Sequence, residues 1–469
     1  MKNYENYFGL SDSSKASSNF IVNNHLLRNI ETRIKAYDKM TGKQIIVGIK
    51  GSGKTDIRRF IEEKDNAVTL NLNADSSLLN IDVNTISGKS GRIKNAISLI
   101  LLDSFISYII RNFKKNSGFK TKLKQIADST KDRLKNIPDA VNIATPFGGL
   151  DIKKLLNPNA SRLVHNTLTE LIDKVVKALD NKHAYILIDD TEDVFPGIEG
   201  NIDFLEGLSR AVYDINNLTN SKVHVLLFLK YGFWRQWFEN QRELDKIFDA
   251  VMILSWNHDD LCKVISQRIA NIHHIDYDKK LRDEDLWNKE FNWNNNEGFN
   301  KFATSIARYC VNGPRDIITI CNMAKKGSKS EKINSDSIKE ILAKYSELKI
   351  YEIHADFGDV YPNVHKFVEL VFYKLKPEGT GKYYAQKIED NGLMSDKAEA
   401  IFKNESWFNS SSKEKLVSIM YEIGIIGKKN GRGKTLYSIE HPGIPISDLM
   451  NSTLVVHPAF RPYLSIKVD

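Results

Sequence analysis

Cysteine is scarce in this chain. Cys262, Cys310 and Cys321 are the three present in 469 residues, and their spacing fits no metal-binding pattern. A disulfide framework and a zinc module are therefore excluded, and a reduced compartment is expected. Long apolar runs are also missing. The most apolar stretch, Ala96–Ile110, is shorter than a membrane span needs and carries Asp103 at its centre, so it reads as a buried helix. The first residues, Met1-Lys-Asn-Tyr-Glu-Asn-Tyr7, hold no apolar core of a secretory signal. A cytoplasmic protein without a membrane partner is the expectation. No internal repeat or long low-complexity tract is present, and no Ser/His/Asp or Cys/His arrangement stands out. His273-His274 has no Cys or carboxylate at ligand spacing and reads as solvated or core histidine.

What is present is an ordinary globular composition, 41% hydrophobic and 27% charged, on a chain long enough for roughly two to four domains. The net charge of +8 is unevenly placed. Lys89–Lys135 carries twelve Lys/Arg against three Asp, whereas Tyr351–Asp469 carries fifteen of each sign. The basic excess is either a solvated helical face or a surface for nucleic acid or an acidic partner.

Gly48-Ile-Lys-Gly-Ser-Gly-Lys-Thr55 matches G-x-x-x-x-G-K-[ST] at every fixed position. It follows the apolar, β-branched Gln44-Ile-Ile-Val-Gly48 and leads into a helical pattern over Asp56–Lys64. Strand, loop and helix in that order make a phosphate site. Gly48, Gly51, Ser52 and Gly53 allow backbone amides to converge on phosphate oxygens at the positive end of the helix. Lys54 is placed to reach the β- and γ-phosphates, and the Thr55 hydroxyl to ligate Mg²⁺. A similar ending, Lys428-Lys-Asn-Gly-Arg-Gly-Lys434-Thr435, has Lys428 where the first glycine is needed and sits in a hairpin, so it is not a second site.

Further strands are predicted at Ala67–Asn73, Ala184–Asp190, Val223–Leu229 and Ala250–Trp256. With the intervening helices, such as Ser161–Leu179 and Ile202–Ile215, they give a five-stranded parallel α/β sheet. The stretch of about 80–183 reads as an elaborated, partly basic insertion, including Thr145-Pro-Phe-Gly-Gly-Leu150. Ahead of the first strand, Leu26–Ile34 is helical in pattern, and Asn19-Phe20-Ile21 is either an adenine-packing segment or a strap over the core. From Asn257 the pattern is helical: Leu261–Ile269 capped by Asp259 or Asp260, then Phe302–Cys310, Asp316–Lys325 and Ser335–Leu348. Trp287–Asn300 reads as an Asn-rich aromatic loop. Beyond Tyr351, helices at Val364–Leu375 and Lys413–Ile423 precede a two-stranded hairpin over Ile425–Ile439, a pattern suggesting a winged helix. The domains expected are a nucleotide core with strap and insertion (1–256), a helical lid (257–348) and a winged-helix-like domain (349–469).

The acidic cluster Asp189-Asp190-Thr-Glu192-Asp193 ends an apolar strand. Asp189 is assigned to Mg²⁺, at the tip of the strand expected beside the phosphate-loop strand. Asp190 is the first candidate to polarise the attacking water and Glu192 the second. Lys230, at the end of the fourth strand, is placed to sense the γ-phosphate. Arg315, in Asn312-Gly-Pro-Arg315, opens a lid helix with Pro314 in its first turn and could lie on the nucleotide's phosphates. Arg235 and Arg242 are weaker candidates for arginine fingers acting across a subunit interface. No guanine-selecting motif is evident, so ATP is the default nucleotide.

These features in this order resemble the AAA+/STAND branch of P-loop ATPases: Gly48–Thr55, the Asp189-Asp190-Thr-Glu192 strand end, a polar residue after the fourth strand and a lid with Gly-Pro-Arg315. The resemblance covers about residues 20–345, with a winged helix beyond. Phe228-Leu-Lys230, Leu244-Asp-Lys246, Ile253-Leu-Ser-Trp256, Gln267-Arg-Ile269 and Val456-His-Pro-Ala-Phe460 look like bacterial predicted ATPases often found in antiviral-defence loci. Initiator and origin-recognition ATPases share the broad plan. Lys230 stands where arginine is common, and Asp190 replaces the glutamate of many such sites, which suits slow turnover and a switch role. The resemblance implies a homo-oligomer or an effector protein partner. Three readings follow: an ATPase that gates a partner in defence against phage, a DNA-handling initiator- or transposition-helper-type ATPase, and a non-hydrolysing scaffold. DNA contact falls either to Lys89–Lys135 or to the wing tip of Lys428, Lys429, Arg432 and Lys434.

Overall fold

The computed structural model describes residues 7–8, 42–64, 68–72, 83, 86, 88–112, 117–137, 150–180, 182–198, 201–220, 222–240, 245–277, 281–293, 298–311, 313–328, 330–375, 383–384, 395–409, 411–431, 434–438, 441 and 444–466. The predicted Asn19-Phe20-Ile21 segment, the Leu26–Ile34 helix, most of Thr145–Leu150, Arg242 and Arg432 lie outside them. The chain divides into two compact units: Leu27–Val47 with Lys54–Met252, and Met1–Leu26 with Gly48–Gly53 and Ile253–Asp469.

The first unit is built on a five-stranded sheet. Its strands are β1 (Ile45–Gly48), β2 (Val68–Asn71), β3 (Ala184–Ile188), β4 (Val223–Lys230) and β5 (Val251–Ile253), in the order β2-β3-β4-β1-β5. Pairing is parallel, with Ala184 opposite Val68 on one side and Val223 on the other. The strands are continuous runs of apolar, largely β-branched residues because both faces are covered. Ile45, Ile46, Val47, Ile186, Leu187 and Ile188 are wholly buried, each contributing about 1.5–3 kcal/mol relative to exposure.

The apolar stretch around Asp103 forms the 23-residue helix Ser90–Asn112. By length and composition it is the one helix among the described residues that could cross a membrane, so the expectation that it falls short is corrected. Its burial accounts for the composition instead: it packs against Ile202–Leu218 and Ser161–Leu179, and fourteen of its residues between Ile93 and Ile109 are buried. Burial pushes the Asp103 carboxyl up to about 6, against the opposing charge of Lys131. The basic helix Ser117–Leu134 packs on the same layer and exposes Lys122 and Lys124. Elsewhere in the basic segment Lys94 pairs with Asp214, and Arg133 with Glu170.

The second unit is mainly helical. Its helices include His258–Ile272, Asp283–Glu290, Phe299–Ala307, Pro314–Gly327 and Ser335–Phe357. Asn257, not Asp259 or Asp260, caps the first of these by accepting from the Asp260 amide. The stretch expected as an aromatic loop contributes Trp287 and Phe291 to the core. Trp287, within the helix Asp283–Glu290, donates to Ser266 Oγ, and Trp287, Phe291 and Phe302 are buried together. Tyr7 and Phe8 join this core. Phe8 stacks on Phe291 and is tied through its backbone to Asn322 and Arg268. Beside them the buried carboxylate of Glu290 accepts from Tyr7 and Lys325 and bonds His273 at 2.8 Å, giving that histidine the acidic companion its sequence neighbourhood lacks. Burial alone would raise the Glu290 pKa, but these bonds outweigh it and hold it below the usual value.

The helix expected to end at Leu348 runs on to Phe357, so the boundary drawn at 348/349 falls inside continuous helix. It is followed by the helices Val364–Phe372, Asp396–Phe402 and Lys413–Glu422. They accompany a four-stranded sheet in the order β6-β9-β7-β8, formed by β6 (Tyr383–Tyr384), β7 (Ile426–Lys429), β8 (Thr435–Leu436) and β9 (Thr453–Val456). Pairing in it is antiparallel. Lys428 is bound to Asp448, which removes one cation from the expected wing tip.

A buried ion pair joins the long helix to its neighbour: Lys349 Nζ lies 2.8 Å from Asp316 Oδ1, both residues being at most 3% exposed at the side chain. Lys349→Met would leave Asp316 charged without its cation, and we expect about 3–5 kcal/mol of destabilisation. Urea unfolding followed through the tryptophans would measure it; a loss under 1 kcal/mol would show the pair is not what fixes these helices.

Candidate functional site

The phosphate-loop motif is one uninterrupted stretch, and its two ends are held by different residues. Gly48–Gly53 is gripped within the second unit. The Trp256 indole donates to the Ser52 carbonyl at 2.9 Å. Gly313, at φ 102°, makes room for that ring, since a Cβ there would lie 2.6 Å from Trp256 Cδ1. Two residues on, Arg315 lies against Gly51, which has φ 88°; a Cβ on Gly51 would meet Arg315 Cβ at 2.9 Å. Pro314 opens the helix as the sequence indicated, and Asp316 is fixed by Lys349 and by the Val311 amide. From the same long helix as Lys349, two turns on, Asp356 accepts the backbone N–H of Lys50 at 3.0 Å. A carboxylate therefore sits on an amide of the phosphate loop.

The loop's end opens the helix Lys54–Lys64 in the first unit. There the Thr55 hydroxyl donates to Asp189 Oδ2 at 3.1 Å, and Arg58 Nε approaches the same oxygen at 3.2 Å. Glu62 holds Arg58 through two bonds to one guanidinium nitrogen. Asp189 follows β3, which is not next to β1 as expected: β4 lies between them. This corrects the strand placement, although Asp189 is still beside Thr55. It also puts the end of β4, and so Lys230, at the centre of the strand ends. Lys230 Nζ pairs with Glu192 at 2.6 Å, joining two residues that the sequence singled out separately.

Asp190 begins the short helix Thr191–Val194 in the left-handed region, φ 43° and ψ 59°. Asp tolerates that region better than most residues, and strain of this kind collects at functional sites. Its carboxyl is pushed up to about 6 by partial burial and by the carboxylates of Asp189, Glu192 and Asp193, with Lys54 opposing.

The donor set suits a magnesium-bound nucleotide. Ser52 Oγ is buried and has no hydrogen-bond partner among the described residues. Thr55 and Asp189 offer one hydroxyl and one carboxylate, the sparse protein ligation that Mg²⁺ uses alongside substrate phosphates. No cluster of three or more His, Cys, Asp or Glu among the described residues could hold a metal. Arg58 and Asp356 escaped the sequence reading, and Trp256 entered it only within a motif of the resemblance, with no role at the loop. Arg58, one turn into the motif helix, was the one with a local signal. Arg235 lies on the helix Tyr231–Asn240, whose Trp234 and Trp237 are buried.

No family model matches the sequence, and no curated protein is significantly similar to it. The solved structure of the Walker-type ATPase PABY2304 of Pyrococcus abyssi is similar over 94% of both chains, at 12% identity and a TM-score of 0.42. The functional reading therefore rests on the side chains.

Because Asp190 holds its proton to a higher pH than an unfolded chain would, its ionisation costs stability as pH rises from about 3.8 to about 6. Asn keeps the left-handed preference without the charge. Solvent screening limits the gain to about 1 kcal/mol, so Asp190→Asn should raise Tm by about 2–4 °C at pH 7.5 and leave it unchanged at pH 3.5. A Tm that falls at both pH values would contradict this account.

Proposed function

We propose that this chain is a Mg²⁺-dependent P-loop ATPase in which the nucleotide acts as a switch on a partner. The observation that carries the reading is the 3.1 Å pairing of Thr55 with Asp189 at the end of a complete phosphate-loop motif. Loop amides and Lys54 bind the phosphates, and Arg315, against Gly51, adds a cation. Thr55 and Asp189 would hold Mg²⁺, which when bound neutralises phosphate charge. Asp190 accepts a proton from the attacking water, a role suited to a carboxyl tuned toward neutrality. Lys230, on Glu192, senses the terminal phosphate from the end of β4.

The switch reading is supported by Asp356. A carboxylate on the Lys50 amide opposes the approach of phosphate, so nucleotide binding and the pose of the long helix Ser335–Phe357 are coupled. The helices and four-stranded sheet that follow suit a winged-helix output domain. Oligomerisation, an effector partner and a setting in antiphage defence follow from the sequence resemblance. The DNA-handling alternative has the exposed Lys122 and Lys124 in its favour.

ATP turnover by purified protein, with and without duplex DNA, tests the proposal. Lys54→Ala should abolish turnover, and Asp190→Asn should lower kcat by about 10²–10⁴-fold. The wild-type kcat/KM should fall below an apparent pKa near 6. Turnover that survives Lys54→Ala would sink the reading; tight ATP binding without turnover would leave a scaffold. Asp356→Asn should tighten ATP binding by about tenfold, the scale of one bond to a charged group, as read by calorimetry. Unchanged or weaker binding would remove Asp356 from the switch.

A further inference from the structure

An open cleft of about 1190 Å³ lies within the helical part of the second unit. It is larger than the roughly 300–1,000 Å³ of small-molecule sites, so it suits a segment of polymer. Trp293 and Tyr309 line it, both half-buried. Phe302 and Phe299 hold the Trp293 ring at 5.7 and 5.6 Å between centroids. The Arg308 guanidinium lies 4.9 Å from the Tyr309 ring centre and donates to its hydroxyl at 2.9 Å, which fixes both groups. Lys301, two turns before Arg308, and Lys339 add charge at the exposed rim. Among the described residues of the lining the one carboxylate, Asp336, is 3.3 Å from Lys339 and offset by it.

Lys301 and Arg308, left unbalanced once Lys339 offsets Asp336, and two aromatic rings on one cleft are the components that bind unpaired bases and their phosphates together. Duplex DNA has its base faces stacked inside and gives the rings nothing to bind. An acidic peptide would use the cations alone. We infer that this cleft binds single-stranded nucleic acid, as a site separate from the phosphate loop, the basic helix and the hairpin. The inference does not depend on ATP hydrolysis.

Fluorescence anisotropy with a labelled twelve-residue oligo-dT, using the full chain without nucleotide, tests it. The Lys301→Glu/Arg308→Glu double variant should weaken binding at least tenfold and reduce the slope of log K against log salt by about 1.4, two phosphate contacts' worth on a single strand. Trp293→Ala should weaken binding about tenfold, and Trp293→Phe should restore most of it. Lys122→Glu/Lys124→Glu, on the basic helix, should leave affinity for this probe unchanged. Thermal melts matching wild type exclude misfolding as the cause, and the exposed double variant carries the test if Trp293→Ala does not fold. Several results would overturn the inference: no oligo-dT binding, loss only with the Lys122/Lys124 variant, preference for duplex, or equal competition by poly-glutamate. Because Lys54→Ala leaves the cleft intact, its oligo-dT affinity should equal wild type whether or not the ATPase reading stands.

Discussion

The buried carboxylate of Asp189 is the group on which the proposed nucleotide site depends. It is 1% exposed and receives the Thr55 hydroxyl and the Arg58 guanidinium on one oxygen. A buried carboxylate is tolerated only with such partners. The partners come from the first turns of the helix that the phosphate loop opens. Sheet, loop and helix are therefore joined by hydrogen bonds as well as by the chain. Glu62 steadies Arg58 from one turn further along, so Asp189 shares a hydrogen-bonded group with that cation before any metal is considered.

Opposing environments separate the two adjacent aspartates. Asp189 lies inside with its cation. Asp190, in the left-handed region, has its pKa raised first by partial burial and then by the surrounding carboxylates. In the proposed mechanism these neighbours in sequence would take different tasks, one holding a cation and the other accepting a proton. That division needs no unusual residue types, only the turn at the end of β3.

Whatever is local in this site was legible in the sequence. The motif, the strand before it, the helix after it and the acidic strand end are all fixed by short-range pattern, and Pro314 marked its helix start. Strand order was not legible: apolar runs are alike in a parallel sheet, and nothing in Val223–Lys230 says that it inserts between β1 and β3. Asp356 was hidden for a related reason. It lies 306 residues from the amide it accepts, at the end of a helix whose pattern was broken by buried polar residues. Ser346, Lys349 and Asp356 face inward there, where an apolar stripe would be sought, because each has a polar partner: Tyr463's amide, Asp316 and Lys50's amide. Buried polar positions read as breaks in amphipathicity when the partner is distant in sequence.

Those same polar positions explain how the long helix could transmit a change. Lys349 holds Asp316, whose neighbour Arg315 lies on Gly51; Asp356 holds the amide of Lys50. One helix thus reaches consecutive residues of the phosphate loop by two routes, one through a cation and one through an anion. On the proposed reading, an incoming phosphate would interact with the two in opposite senses, drawing Arg315 closer and displacing Asp356. A rigid helix cannot satisfy both demands by a small uniform shift, since Lys349 and Asp356 are two turns apart on one rod. The arrangement favours two discrete poses over a continuum, and a bistable element is what a nucleotide switch requires.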